Sequence, residues 1–181
     1  MYWIPPDYRG PRMTFQVGEK VVYPNHGVGT IENISTRAFG SSQEHFYLLR
    51  LTYNSMTVMI PFSHVADVGL RKVTKCSEIT RVLNYLSAGR PSCIQDWKDR
   101  FKENSDKMKN GSLLEISEVF KTLLMIQTSK PLSFREKKML DRARHMVIME
   151  TSIAKSLSEP DAITIIAKAL AKSGLPMCDA L

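Results

Sequence analysis

The stretch from Val21 to Ile34, VVYPNHGVGTIENI, decides how the first third of this chain folds. Branched apolar residues crowd both of its ends, and Pro24, Asn25, His26 and Gly27 stand between them. Proline pre-sets a turn dihedral, while asparagine and glycine accept the left-handed backbone region at little cost. The reading is a strand, a tight turn and a second strand. Upstream, Val17 leads into the first of these. Downstream, Ala38 to Gln43, with Gly40, Ser41 and Ser42, predicts a loop before a strand over Glu44–Leu51, which is rich in aromatic and large apolar residues. Asn54-Ser55 reads as another turn, Met56–Ile60 as a strand closed by Pro61, and Val65–Leu70 as a last short strand. Some five strands between Phe15 and Arg71 imply a small barrel or strongly bent sheet, because closure hides the edges of so short a sheet.

From Thr74 onward the apolar period becomes that of a helix. Ile79, Val82, Leu83 and Leu86 fall at i, i+3, i+4 and i+7, and Gly89-Arg90-Pro91 ends that segment. Three serines then precede a Gln or Glu by three residues: Ser92 with Gln95, Ser112 with Glu115, and Ser133 with Glu136. This is the capping-box spacing, in which the serine accepts from the third backbone N–H and the longer side chain reaches back. With breakers at Asn110-Gly111 and Lys130-Pro131, helices are expected over 76–88, 93–109, 113–128, 134–157 and 160–173. Leu113, Ile116, Val119, Phe120, Leu123 and Leu124 form one apolar face. Met139, Leu140, Ala143, Met146, Val147, Ile153 and Ala154 form another. Neither keeps a heptad, so both belong to a core rather than a coiled coil. The expected fold class is α+β, a small N-terminal β-barrel followed by a compact all-α domain of about five helices. The chain divides into an arm over 1–13, a barrel over 14–72, a helical domain over 73–174 and a tail over 175–181.

Composition agrees with a folded protein: of 181 residues, 43% are hydrophobic and 24% charged. The net charge of +7 favours polyanionic partners. Cys76, Cys93 and Cys178 are odd in number and lack CxxC spacing, which suggests neither a disulfide framework nor a zinc knuckle and fits a reducing cytosol. The N-terminal MYWIPPDYRGPR has no apolar signal core, and no later window approaches a membrane span. The expectation is a protein neither exported nor membrane-embedded.

Catalytic groups do not converge. His26, His45, His64 and His145 show no HxH or HExxH spacing, and Gly27 with Gly29 lacks the third glycine of a phosphate loop. Asp96 with Asp99, and Glu115 with Glu118, sit among lysines and arginines as solvated pairs do. No enzyme, metal or cofactor is expected. The segment that stands out is Ile94 to Asn104, IQDWKDRFKEN. Ile94, Trp97 and Phe101 fall at i, i+3 and i+7, as a core stripe would. Yet Trp97 sits in the first helical turn, among Arg90, Lys98, Arg100, Lys102, Lys107 and Lys109. An aromatic beside several cations suits a wedge that enters DNA from the minor groove while the cations hold phosphates. Asp96, Asp99, Glu103 and Asp106 keep a plain solvated face open as the alternative.

At this point five collinear blocks resemble a family. FQVGEKVVYPNHGVGTIENI, TVMIPFSHVADVGLR, DWKDRFKEN, GSLLEISEVFKTL and LSFREKKMLDRAR are similar, in order and spacing, to the bacterial CarD/CdnL transcription factors. The first block also resembles the polymerase-binding module of the transcription-repair coupling factor, whose helicase motifs this chain lacks. The resemblance implies a Tudor/SH3-like barrel that docks on the RNA polymerase β subunit. It also implies a helical domain that contacts promoter DNA at the upstream edge of the transcription bubble. The polymerase-binding positions that match are Arg37, Arg50, Met59 and Pro61; for Met59 a place in the barrel core stays open. Trp97 matches the family's wedge tryptophan, Arg100 and Lys102 match basic residues after it, and Arg90 and Lys98 flank it. Asp99 stands where the family often has arginine, which weakens the expected hold on DNA. The resemblance implies a regulator that stabilises the open complex without strong sequence preference, expected in the cytoplasm on the nucleoid; no long exposed apolar repeat demands a dimer, so a monomer is expected. The alternative is a protein–protein adaptor in which Trp97 is core and the helical domain does not touch DNA. An RNA-binding barrel is disfavoured, because Lys20, Arg37, Arg50 and Arg71 are scattered and no stacking platform accompanies them.

Overall fold

The structure is a computed structural model that describes residues 15–39, 42–91 and 96–177. Five strands come first: β1 (Lys20–Tyr23), β2 (Gly27–Phe39), β3 (Ser42–Leu51), β4 (Thr57–Pro61) and β5 (Arg71–Lys72). Five helices follow: α1 (Cys76–Ala88), α2 (Trp97–Asn110), α3 (Leu113–Ser129), α4 (Phe134–Lys155) and α5 (Glu159–Lys172). The strands form one antiparallel Tudor-like sheet of order β4-β3-β2-β1-β5. The turn read from the sequence at Pro24–Gly27 joins β1 to β2, with Asn25 and Gly27 both at positive φ.

β2 bends at a bulge between Ile31 and Asn33, where the register against β3 slips by one residue. Side chains alternate across a sheet, so without the slip Ile31 and Ile34 would face opposite sides. With it, Ile31 pairs with Leu49 and Ile34 with Tyr47, and all four join one core with Val21, Leu51, Ile60 and Phe62. Tyr47 stacks on Phe62 at 4.2 Å and meets Phe15 edge-on at 5.8 Å.

Two strand expectations need correction. The expected loop over Ala38–Gln43 is shortened: Ala38 pairs with Gln43 and Phe39 with Ser42, while Gly40 and Ser41 lie outside the described residues. Val65–Leu70 is not a strand. A 3₁₀ turn at Phe62–His64 runs into turns closed by Val68 N–H to His64 O and Leu70 N–H to Val65 O, with Gly69 at φ 69°. Val65 and Val68, three apart on that turn, both pack on the sheet core, and the last strand is Arg71–Lys72 instead.

The helices pack around α3, whose Ile116, Val119, Phe120 and Leu123 are fully buried. Of the three expected capping boxes, the one at Ser133 and Glu136 is complete. Ser112 is an N-cap residue, but its side chain makes no cap hydrogen bond. Ser92 and Gln95 lie outside the described residues, and the second helix starts at Trp97, capped by Asp96 rather than by Ser92. Leu175 and Met177, beyond α5, also pack on the helical core.

Sheet and helices share apolar contacts. Val22 and Val28, paired across β1 and β2, face away from the sheet core and belong to the helical one. Next to them Glu150 of α4, fully buried, accepts from Arg71 Nη1 at 2.9 Å and Nη2 at 2.7 Å, and from Thr74 N–H and Oγ1. Arg71 Nε also donates to the carbonyl of Gly111 at 2.7 Å. Gly111 ends α2 at φ 74°, and a Cβ there would come within 3.1 Å of the Pro24 ring, so both turn and contact need glycine.

Candidate functional site

The β2–β4 register gathers four of the sequence-expected positions onto one face. On β3, Glu44, Phe46, Leu48 and Arg50 point the same way, and opposite them stand Arg37, Ser35, Asn33 and Thr30 of β2. Pro61, Met59 and Thr57 of β4 face Phe46, Leu48 and Arg50 from the other side. Arg37, Arg50, Met59 and Pro61 therefore share the side of the sheet away from its core. Met59 is 36% exposed while its neighbours Val58 and Ile60 turn inward, so the barrel-core reading of Met59 does not hold. Arg50 meets Glu32 at 3.6 Å with both side chains largely in water, an ion pair of little energetic weight. Arg37 is exposed, and Pro61 is half-buried. Within the described residues β4 pairs only with β3, so its outer backbone row forms an edge.

The second group stands at the start of α2. Asp96 is extended and its carboxylate accepts from Lys98 N–H at 2.7 Å and Asp99 N–H at 3.2 Å, which makes Trp97 the first helical residue. Helical side chains lean toward the N-terminus, so at this position the indole projects toward the helix start. Trp97 is 50% exposed. The core stripe of α2 is instead Arg100, Asn104 and Met108, and Phe101 is half-buried. A buried Trp97, as the adaptor reading requires, is not what the fold provides.

The cations divide. Arg90, Lys98 and Lys102 are exposed. Arg100, expected to hold DNA, is only 3% exposed, and its Nη2 donates to Glu136 Oε1 at 2.8 Å. That removes it from the DNA-facing set: an arginine at i+3 from Trp97 falls on the stripe that packs against α4. Burial pushes the Glu136 carboxyl up, but hydrogen bonds from Arg100 and Ser133 outweigh it and hold the group below its ordinary range. Lys107 is also committed, 2.9 Å from both Glu103 and Glu118; burial works against its charge, and the two carboxylates more than restore it.

Sequence reasoning missed a groove of about 460 Å³ between α2 and α4. Lys109, Arg135, Lys138 and Arg142 line it, above Asn25 and His26 of the β1–β2 turn. Arg135, Lys138 and Arg142, at i, i+3 and i+7, are a basic stripe that the sequence pattern displays. Among the described residues, no three His, Cys, Asp or Glu side chains gather where they could hold a metal ion. No helix among the described residues is long and apolar enough to cross a membrane.

A Tudor-like sheet whose β2–β4 outer face is open, joined to a helical part in which α2 starts with an exposed tryptophan beside exposed lysines, defines a two-part protein. Residues 15–74 match the family described as CarD-like/TRCF RID domain, and residues 81–167 that described as CarD, C-terminal domain. The chain belongs to the CarD family of transcription factors. It is 36% identical over 145 residues, 80% of this chain and 95% of the other, to YdeB of Bacillus subtilis (strain 168), whose name describes it as a candidate transcription factor.

Proposed function

We propose that this protein docks on the RNA polymerase β subunit through the outer face of β2–β4. In this reading it stabilises the promoter open complex by contacting DNA at the upstream edge of the bubble. Arg37, Arg50, Met59 and Pro61 form the docking face, and edge strand β4 offers backbone groups to a partner strand. Trp97 is the wedge, with Lys98, Lys102 and Arg90 on phosphates. The observation that carries the reading is Trp97 itself: a half-exposed indole held at a capped helix start beside exposed Lys98 and Lys102, where burial would have made it core. The protein acts as a monomer on the nucleoid.

The mechanism is linkage. A factor that binds open promoter more tightly than closed promoter shifts the equilibrium by that difference, and equal binding shifts nothing. Trp97 supplies the difference, because its ring fits a step already unstacked at the bubble edge. Asp99, exposed in the same turn, weakens direct hold on phosphate. Docking of the sheet offsets this by raising the local concentration of the helical part at the promoter.

The test is open-complex lifetime with cognate polymerase, wild type against Trp97→Ala, with melting curves for both. The expected result is a longer lifetime with wild type and none of that effect with a variant that melts like wild type. No effect of the wild-type protein on lifetime overturns the reading.

A further inference from the structure

Among the described residues the most exposed large apolar side chain is Phe134, 71% exposed at the first position of α4. A single exposed ring is ordinary by itself. This one is placed: the complete capping box of Ser133 and Glu136 fixes the turn that carries it, and Lys138 Nζ lies 4.6 Å from its ring centroid. Lys138 lines the basic groove between α2 and α4, whose lining holds four cations and, among the described residues, no carboxylate.

Trp97 and Phe134 do not line the groove themselves, but each stands one helical turn before a residue that does. Residues four apart on a helix share a face. Trp97 stands one turn ahead of Phe101 on the α2 wall, and Phe134 one turn ahead of Lys138 on the α4 wall. The buried Arg100–Glu136 contact ties the first turns of the two helices together. Both rings thus stand at the same end of a cationic channel.

We propose that Phe134 is a second aromatic contact to DNA, stacking on a base of the separated strand while that strand's phosphates follow the groove past Arg135, Lys138 and Arg142. Stacking on an aromatic face accepts any base, and a cationic groove tracks a backbone without reading sequence. An unpaired strand fits better than a duplex, because only an unstacked base offers its face to a phenyl ring. The inference rests on the reading of Trp97 as the wedge at the bubble edge.

The test is fluorescence anisotropy of the full chain, at low salt, on a blunt duplex and on the same duplex carrying an unpaired upstream-fork strand. Phe134→Ala is expected to weaken fork binding about ten-fold and duplex binding by less than about two-fold, with Phe134→Tyr close to wild type. Fork binding unchanged in Phe134→Ala but lost in Trp97→Ala overturns the second contact and leaves the wedge standing. Equal losses on both probes also overturn it, since stacking needs an unpaired base. A wild-type chain with no preference for the fork removes both readings.

Discussion

Replacing Glu150 by alanine tests the join between sheet and helices. The carboxylate is fully buried and accepts four hydrogen bonds, two from Arg71 and two from Thr74, the shortest 2.6 Å. Removing one partner of a buried pair costs about 3–5 kcal/mol, mostly by stranding the other. Here Arg71 keeps its bonds to the carbonyls of Gly111 and Lys72, and its side chain is 26% exposed, so water restores part of the loss. The N–H and hydroxyl of Thr74 are more deeply covered. The expected cost is therefore at the low end, about 3 kcal/mol, or a fall of about 6–12 °C in melting temperature for a chain of this size. Glu150→Gln keeps the volume and one acceptor, and is expected to cost about 1–2 kcal/mol. Urea midpoints and melting curves followed by circular dichroism measure both. A Glu150→Ala protein within about 1 kcal/mol of wild type refutes the reasoning and assigns the join chiefly to the apolar contacts of Val22 and Val28.

Arg100→Ala strands buried Glu136 and is expected to cost about 3 kcal/mol, whereas exposed Lys98→Ala and Lys102→Ala stay within about 0.5 kcal/mol by urea midpoint. Ser133→Ala breaks a complete capping box and is expected to cost about 1 kcal/mol, while Ser112→Ala, with no cap hydrogen bond to lose, costs a few tenths at most. His145 meets the Tyr53 ring at 4.7 Å, and its buried Nε2 has no hydrogen-bond partner among the described residues; burial lowers its pKa, Arg144 adds to this, and Glu159 and Asp141 oppose it. His26 is lowered too, by burial and by Arg142. For both histidines the folded chain takes up protons later than the unfolded one, so their stability contribution is full above about pH 6.5 and falls on acidification. The urea midpoint should drop as the pH falls below about 6.5, and less steeply in His145→Gln; a midpoint that rises toward acid contradicts the assignment.

Local pattern carried most of the fold. α1, α3, α4 and α5 start and stop within two residues of expectation, because the alternation of core and water faces and the breakers at Asn110-Gly111 and Lys130-Pro131 act over a single turn. Short apolar runs were ambiguous for the same reason. Val65 and Val68 satisfy a strand pattern and a turn equally well, and only the backbone bonds of Val68 and Leu70 choose between them. At Gly40-Ser41-Ser42 the glycine and serines signalled a loop, yet pairing of β2 with β3 extends the ladder beneath that signal.

The candidate sites were legible residue by residue but not as surfaces. Trp97 was marked by its first-turn position, and its exposure follows from the lean of helical side chains. Arg100 looked like any other cation of the cluster, because its partner lies 36 residues away. Phe134 was hidden inside a capping motif that explained its neighbours and left the ring itself unread.

The sequence by itself determined the change from strands to helices near Thr74, the turn at Pro24–Gly27 and the helix start at Ser133, since each depends on residues within one turn of chain. Tertiary structure alone decided which faces meet. A one-residue bulge in β2 brings Ile31 and Ile34 into one core and sends Arg37 outward with Arg50, Met59 and Pro61. Ion pairs between distant segments, Arg71 with Glu150 and Arg100 with Glu136, choose which of these charges are buried. Side-chain direction within an element is local, but what stands opposite it is set only when the elements pack.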